Sequence, residues 1–111
     1  MSVLDKNVVE ELLALTGDGD PELLADLIGV FLENAPDKLK TIQSSLANGD
    51  YETLSKAAES LKSSAGNLGA QLVHFDCDGL EGANADQVVP TLKKHLADTV
   101  SALTDLRDEY R

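Results

Sequence analysis

Apolar residues recur every three or four positions along nearly the whole chain, the spacing of amphipathic helices. Clusters of β-branched residues between turn dipeptides, which would indicate strands, are absent. The first periodic segment predicts a short helix from about Lys6 to Leu15, which Asp5 can cap. Its apolar side is formed by Val8, Leu12 and Leu15.

A second and longer helix is predicted from Pro21 to about Ala47, with Asp20 as its N-cap. Proline suits the first helical position, because its missing N–H would have no partner there. Pro36 falls inside the pattern and should kink the helix, since proline removes one backbone hydrogen bond. The alternative is two helices broken at Asn34. The predicted buried stripe is Leu24, Leu27, Ile28, Phe31, Ala35, Leu39, Ile42 and Leu46.

The turn signal NGD at 48–50 precedes a third predicted helix, which Asp50 can cap. Its apolar positions share one side at about 100° per residue. They are Leu54, Ala57, Ala58, Leu61, Ala65 and Leu68.

Two further helices complete the pattern. A fourth piece, from about Ala70 to Glu81, has less regular periodicity, and either Phe75 or Asp76 joins Leu72 and Leu80 on its inner side. The last helix is predicted from about Val88 to Glu109, with Pro90 in its first turn. Its inward residues are Leu92, Leu96, Val100, Leu103 and Leu106.

Long amphipathic helices joined by short polar turns must lie antiparallel to their neighbours. The sequence therefore predicts an all-α fold: an up-and-down antiparallel four-helix bundle with a short additional N-terminal helix. The 111 residues, 42% of them apolar, are enough for one core, so we expect a single domain over residues 1–111.

A formal net charge of -11 disfavours nucleic acid and anionic membranes as partners, because affinity for phosphate groups comes chiefly from Lys and Arg. Acidity of this kind commonly keeps soluble proteins apart. No segment approaches the roughly 20 apolar residues that span a bilayer. The N-terminus lacks the basic and apolar regions of a secretory signal, which favours a cytoplasmic location.

Metal and cofactor sites are not indicated. The acidic cluster of Asp18, Asp20 and Glu22 resembles the start of a calcium loop, but Leu23 and Gly29 occupy the positions that require glycine and glutamate. Zinc-ligand spacings, glycine-rich phosphate loops and nucleophile elbows are also absent. We therefore expect no metal, no cofactor and no catalysis of its own.

The polar side of the third helix is unusual. In the run AAESLKSSAGNLGA and just before it, Glu59 and Lys62 are surrounded by the small residues Ser55, Ser63 and Gly66. Exposed helix faces favour long side chains in charge pairs, and glycine lowers helix propensity. Small side chains let another backbone come close, so this side is interpreted as a docking face. The alternative is a weak Glu59–Lys62 ion pair among unconstrained serines.

The same run resembles the signature of histidine-containing phosphotransfer (HPt) domains, which have His-x-x-Lys, small residues and then Leu-Gly-Ala. A downstream Cys-x-x-Leu-Glu pattern and the proline-bearing second helix also match. The matching residues are Ala58, Leu61, Lys62, Ser63, Ser64, Leu68, Gly69, Ala70, Cys77, Leu80 and Glu81. The resemblance covers essentially the whole chain and implies a four-helix phosphorelay module.

The centre of the motif departs from the family, because the phosphoryl-accepting histidine falls on Glu59. The resemblance implies docking of a response-regulator receiver domain or of a hybrid sensor histidine kinase, with Lys62 supporting the phosphate and without phosphate transfer through position 59. The chain would be a monomer. The expected docking residues are Ser55, Lys56, Glu59, Lys62, Ser63, Gly66 and Asn67. Natural loss of the histidine and its deliberate replacement both fit the residues.

Several alternatives stay open. His74 and His95 are interpreted as ordinary surface or boundary residues, although His74 could be a displaced acceptor. Leu23 and Val30, off the centre of the second helix's stripe, either seat the first helix or extend a docking patch. Cys77 is interpreted as a small buried apolar residue.

A different class of function is an acidic helical adaptor that contacts a basic protein and no receiver.

Overall fold

The computed structural model describes residues 2–15, 21–80 and 83–109, and all regular structure in these ranges is helical. The five helices are α1 (Lys6–Leu15), α2 (Pro21–Asn48), α3 (Tyr51–Asn67), α4 (Gln71–Asp78) and α5 (Ala85–Glu109). Helix α2 packs on α3 and α5, and α4 packs on the same two helices, so these four close around one core. The short α1 lies against α2. The predicted all-α bundle with an additional N-terminal helix is confirmed.

The predicted bounds hold within one residue for α1 and α2, whereas α4 ends at Asp78, three residues before its predicted end. Pro36 lies inside a continuous α2, so the alternative break at Asn34 is wrong. Helix α5 begins at Ala85, three residues before the predicted start, because the N–H groups of residues 87 and 88 already donate to the carbonyl of Asn84. Pro90 therefore lies beyond the first turn of α5. Residues 16–20 and 81–82, with the predicted cap Asp20, the cluster residue Asp18 and the motif residue Glu81, lie outside the described part.

Side chains from all four bundle helices form the core, and every predicted inward residue of α3 is buried. Leu39, Leu46, Val100 and Leu106 are partly buried against it. The prediction for Leu27 is wrong: its side chain is 41% exposed. At 100° per residue Leu27 lies beside the buried stripe and not within it, at the edge of the core.

Helix α4 turns Asp76 inward and Phe75 outward, which decides between the two residues that the periodicity left open. Phe75 is 65% exposed, whereas Asp76 is buried and accepts a hydrogen bond from Nδ1 of His95 on α5, at 2.5 Å. Cys77 is a free, buried thiol, as predicted, and its burial raises the pKa to about 12. Helix α4 is thus joined to α5 by one polar contact within an apolar interface.

Caps and one tight turn fix the ends of the helices. Asp50 caps α3 as predicted, since its carboxylate accepts from N and Oγ1 of Thr53 at 3.2 and 2.7 Å. Asp5 likewise accepts from the backbone N of Asn7 at 3.0 Å. Between α3 and α4, Gly69 has φ +72, and its carbonyl accepts from the backbone N of Asp5 at 2.7 Å. The start of α1 is therefore held by the α3–α4 turn.

Two apolar residues of α2 were left with two interpretations, seating α1 or extending a docking patch, and their exposure favours the second. Leu23 and Val30 are 43% and 56% exposed. The contact between α1 and the bundle includes Leu12, which is partly buried against the core. The outer side of α2 therefore keeps apolar surface open to solvent.

Candidate functional site

The polar side of α3 faces outward over most of its length. Most of its small and charged residues are exposed, while Lys62 and Gly66 are half-buried. Glu59 is exposed in a shallow depression whose wall includes Ser55, Lys56 and Ser63. Leu54, Leu61 and the other apolar residues of α3 point into the core on the opposite side. One helix therefore supplies both the packing and the open face that the sequence predicted.

Lys62 is paired with α4 and not with Glu59. Its Nζ lies 2.8 Å from Oδ1 of Asp78, and the two side chains are 29% and 63% exposed. The hydrogen bond to Asp78 is the main reason why the pKa of Lys62 is raised, and Glu59 contributes less. The same bond lowers the pKa of Asp78. The interpretation of Glu59 and Lys62 as a surface ion pair is therefore wrong.

Sequence reasoning missed Asp78. The residue lies at the end of α4, sixteen positions after Lys62, beyond the reach of any spacing rule for a single helix. The other lysine on this side, Lys56, pairs within α3 with Glu52, at 3.2 Å. That pair follows the familiar i,i+4 rule and is 76% and 82% exposed.

The imidazole of His74 lies on Gly66. Nδ1 of His74 is 3.1 Å from the backbone oxygen of Lys62. A carbonyl oxygen only accepts, so Nδ1 carries the proton in this contact. A Cβ atom at position 66 would lie 3.0 Å from Nδ1, so the small size of Gly66 makes room for this ring. Both histidines are half-buried, as predicted for boundary residues, with His95 on the far side of α4.

An apolar cavity of about 220 Å³ adjoins the polar face. Leu12, Leu27, Val30 and Leu68 contribute to its lining, and Asn67 borders it from α3. Asn67 is also one of the predicted docking residues. The exposed apolar surface of α2 therefore continues into the polar face of α3.

The described residues contain neither a metal-binding cluster nor a membrane-spanning helix. No group of three or more His, Cys, Asp or Glu side chains is arranged to hold a metal ion in these ranges. Within the same ranges, none of the helices has the length and apolarity needed to cross a bilayer.

Comparisons with known proteins agree with this architecture. The family model for the Hpt domain matches residues 26–110. The crystal structure of histidine-containing phosphotransfer protein B (HptB) from Pseudomonas aeruginosa PAO1 is similar, with a TM-score of 0.86 and 25% identity over 98% of this chain and 97% of that one. A search of curated proteins found no match. The five-helix architecture and the match over residues 26–110 together show that the chain belongs to the Hpt domain family of phosphorelay proteins.

Proposed function

We propose that this phosphorelay module docks a response-regulator receiver domain through the outward side of α3 and does not accept phosphate at position 59. The observation that carries the proposal is the exposed Glu59 at the centre of a small-residue face, where the resemblance places the acceptor histidine. We further propose that the chain acts as a cytoplasmic monomer.

Glu59 cannot perform the chemistry of an imidazole. A carboxylate is the weaker nucleophile, and the acyl phosphate that it would form is a labile species different from phosphohistidine. Its single negative charge also imitates only part of the charge of about -1.5 to -2 on a phosphoryl group. A face with this residue can bind a partner without carrying phosphate between partners.

The apolar surface of α2 supports docking at this place. Leu23, Leu27 and Val30 are exposed at i, i+4 and i+7, so they form one row along the helix. Partner interfaces commonly combine an apolar centre with polar residues at the rim. We propose that this row and the face around Glu59 form one receiver-docking surface.

Calorimetric titration with a panel of purified receiver domains tests the docking proposal. Ser63→Arg puts a long charged side chain on the exposed face, and Lys62→Ala removes the cation. Ser101→Arg makes the same change on the exposed side of α5 and is the matched control. Gly66→Arg is less suitable, because its side chain would displace His74.

We expect a receiver that binds the unmodified chain and the Ser101→Arg variant to bind Ser63→Arg at least about tenfold more weakly, a typical loss at a buried interface position. Equal affinity for all variants would contradict docking at this face. Binding that is indifferent to Ser63→Arg and falls steeply with salt would favour the acidic adaptor instead.

Incubation with a phosphorylated receiver tests the role of position 59. Glu59→His should gain acid-labile phosphate, whereas the unmodified chain and Glu59→Gln should remain unlabelled. Phosphate on the unmodified chain that disappears in His74→Ala would show transfer through a displaced acceptor and would overturn this part of the proposal.

A further inference from the structure

Two side chains of α4 hold a single residue of α3. His74 contacts the backbone oxygen of Lys62 at 3.1 Å, and Asp78, one turn further along α4, contacts its Nζ at 2.8 Å. Gly66 leaves the space that His74 occupies. Both the backbone and the side chain of Lys62 are therefore positioned from α4.

In this arrangement the Lys62 ammonium pairs with Asp78 and not with Glu59. Within residues 2–15, 21–80 and 83–109, Glu59 makes no ion pair. Lys62, only three positions further along α3, is already neutralised by a carboxylate from outside the helix. Glu59, Lys62 and Asp78 together have a net charge of -1, which repels an incoming anion.

We propose that Asp78 is a specificity-determining residue that holds the Lys62 ammonium and so disfavours phosphoryl groups at position 59. The inference rests on the proposed function, because it takes position 59 as the place where a phosphoryl group would arrive. An ammonium group has three N–H donors, so the pair weakens the attraction of Lys62 for a second anion and does not abolish it. Replacing Glu59 by histidine therefore restores the acceptor but not its full electrostatic support.

Phosphoramidate, a small phosphoryl donor, tests this inference without a receiver. In a Glu59→His protein, the introduced imidazole nitrogen attacks phosphorus, the new N–P bond forms, the P–N bond of phosphoramidate breaks and ammonia leaves. The rate of labelling is compared with and without Asp78→Asn. Circular dichroism and thermal melting establish that the variants are equally folded.

The chain offers a matched control in Glu52→Gln. This change also removes one carboxylate from a lysine on α3, but from Lys56, one turn before position 59 on the side away from Lys62. Asp78→Glu keeps the negative charge and should retain the slow rate. In a Lys62→Met background, Asp78→Asn should lose most of its effect, which a merely structural role of Asp78 would not predict.

We expect Asp78→Asn to accelerate labelling of the Glu59→His protein by about two- to fivefold, the range for an exposed ion pair, with little change in Glu52→Gln. Equal rates with and without Asp78→Asn would overturn the inference and leave the proposed function standing. An equal acceleration by Glu52→Gln would also overturn it, because general charge would then be the cause. No labelling in any Glu59→His protein would overturn the acceptor position itself.

Discussion

The ring of His74 lies so close to Gly66 that a Cβ atom at position 66 would be 3.0 Å from Nδ1. This contact joins α4 to α3 next to Lys62, whose backbone oxygen the same nitrogen approaches. The glycine in the signature run thus has a role inside the chain, whatever it contributes to docking.

We expect Gly66→Ala to stabilise the protein less than alanine normally does in a helix. Gly29→Ala in α2 is the control, because nothing lies within 4 Å of its added Cβ, and it should gain about 0.5–1 kcal/mol. At position 66 the shift of His74 should cancel much of that gain. Urea denaturation of both variants measures the difference. Full stabilisation by Gly66→Ala would show that the ring moves away without cost.

Gly69→Ala should destabilise the protein more than Gly49→Ala. Both glycines have positive φ, +72 and +70, where other residues pay about 1–2 kcal/mol. Only at Gly69 would a Cβ also lie 3.0 Å from the carbonyl of Asp5 and the Cβ of Val8. The difference in free energy of unfolding between the two variants therefore measures how tightly α1 packs on the α3–α4 turn. Equal losses of stability in the two variants would mean that α1 moves away from the added Cβ atom without cost.

His95→Ala should cost about 1.5–3 kcal/mol, because the Asp76 carboxylate, 7% exposed, would lose its hydrogen bond from Nδ1. The double variant Asp76→Ala/His95→Ala should lose less than the sum of the two single variants. Chemical denaturation of the four proteins gives the coupling energy. Additive losses would show that the contact contributes nothing to stability.

Cys77 should be almost unreactive in the folded protein. Burial, the largest influence, raises its pKa from 9.0 to about 12, so the thiol stays protonated near neutral pH. Alkylation by iodoacetamide at pH 8 should be more than about 100-fold slower in the native protein than in urea. Because the folded protein disfavours the thiolate, its free energy of unfolding is undiminished by Cys77 below pH 9. It falls as the pH rises above 9 towards the folded pKa of about 12. Rapid native alkylation would contradict the burial.

The pKa of Asp78 should rise toward its ordinary value in Lys62→Met, because the hydrogen bond from Lys62 is the main cause of its low value. A lowered carboxyl pKa stabilises the fold above the unfolded value of 3.8, and the effect disappears as the pH falls through the folded value. NMR titration of the side-chain carboxyl follows this directly. Lys56→Met, which breaks the other lysine pair of α3, is the control and should leave Asp78 unchanged.

Periodicity predicted all five helices, because the 3.6-residue repeat places apolar residues on one side without reference to any other part of the chain. It also predicted the buried residues of α3 and the exposure of Glu59 on the opposite side. The signature run and the bundle together indicated the Hpt family, which the comparisons confirmed.

The tertiary structure alone decided which residues meet across helices. The rotation of α4 turned Asp76 inward and Phe75 outward. It also paired Asp78 with Lys62 and placed His74 against Gly66. It also left Leu27 exposed, because what covers one side of a helix depends on the lengths and positions of its neighbours. A one-dimensional repeat fixes the angle between residues on the same helix, but the angle between two helices is set by how their whole surfaces pack.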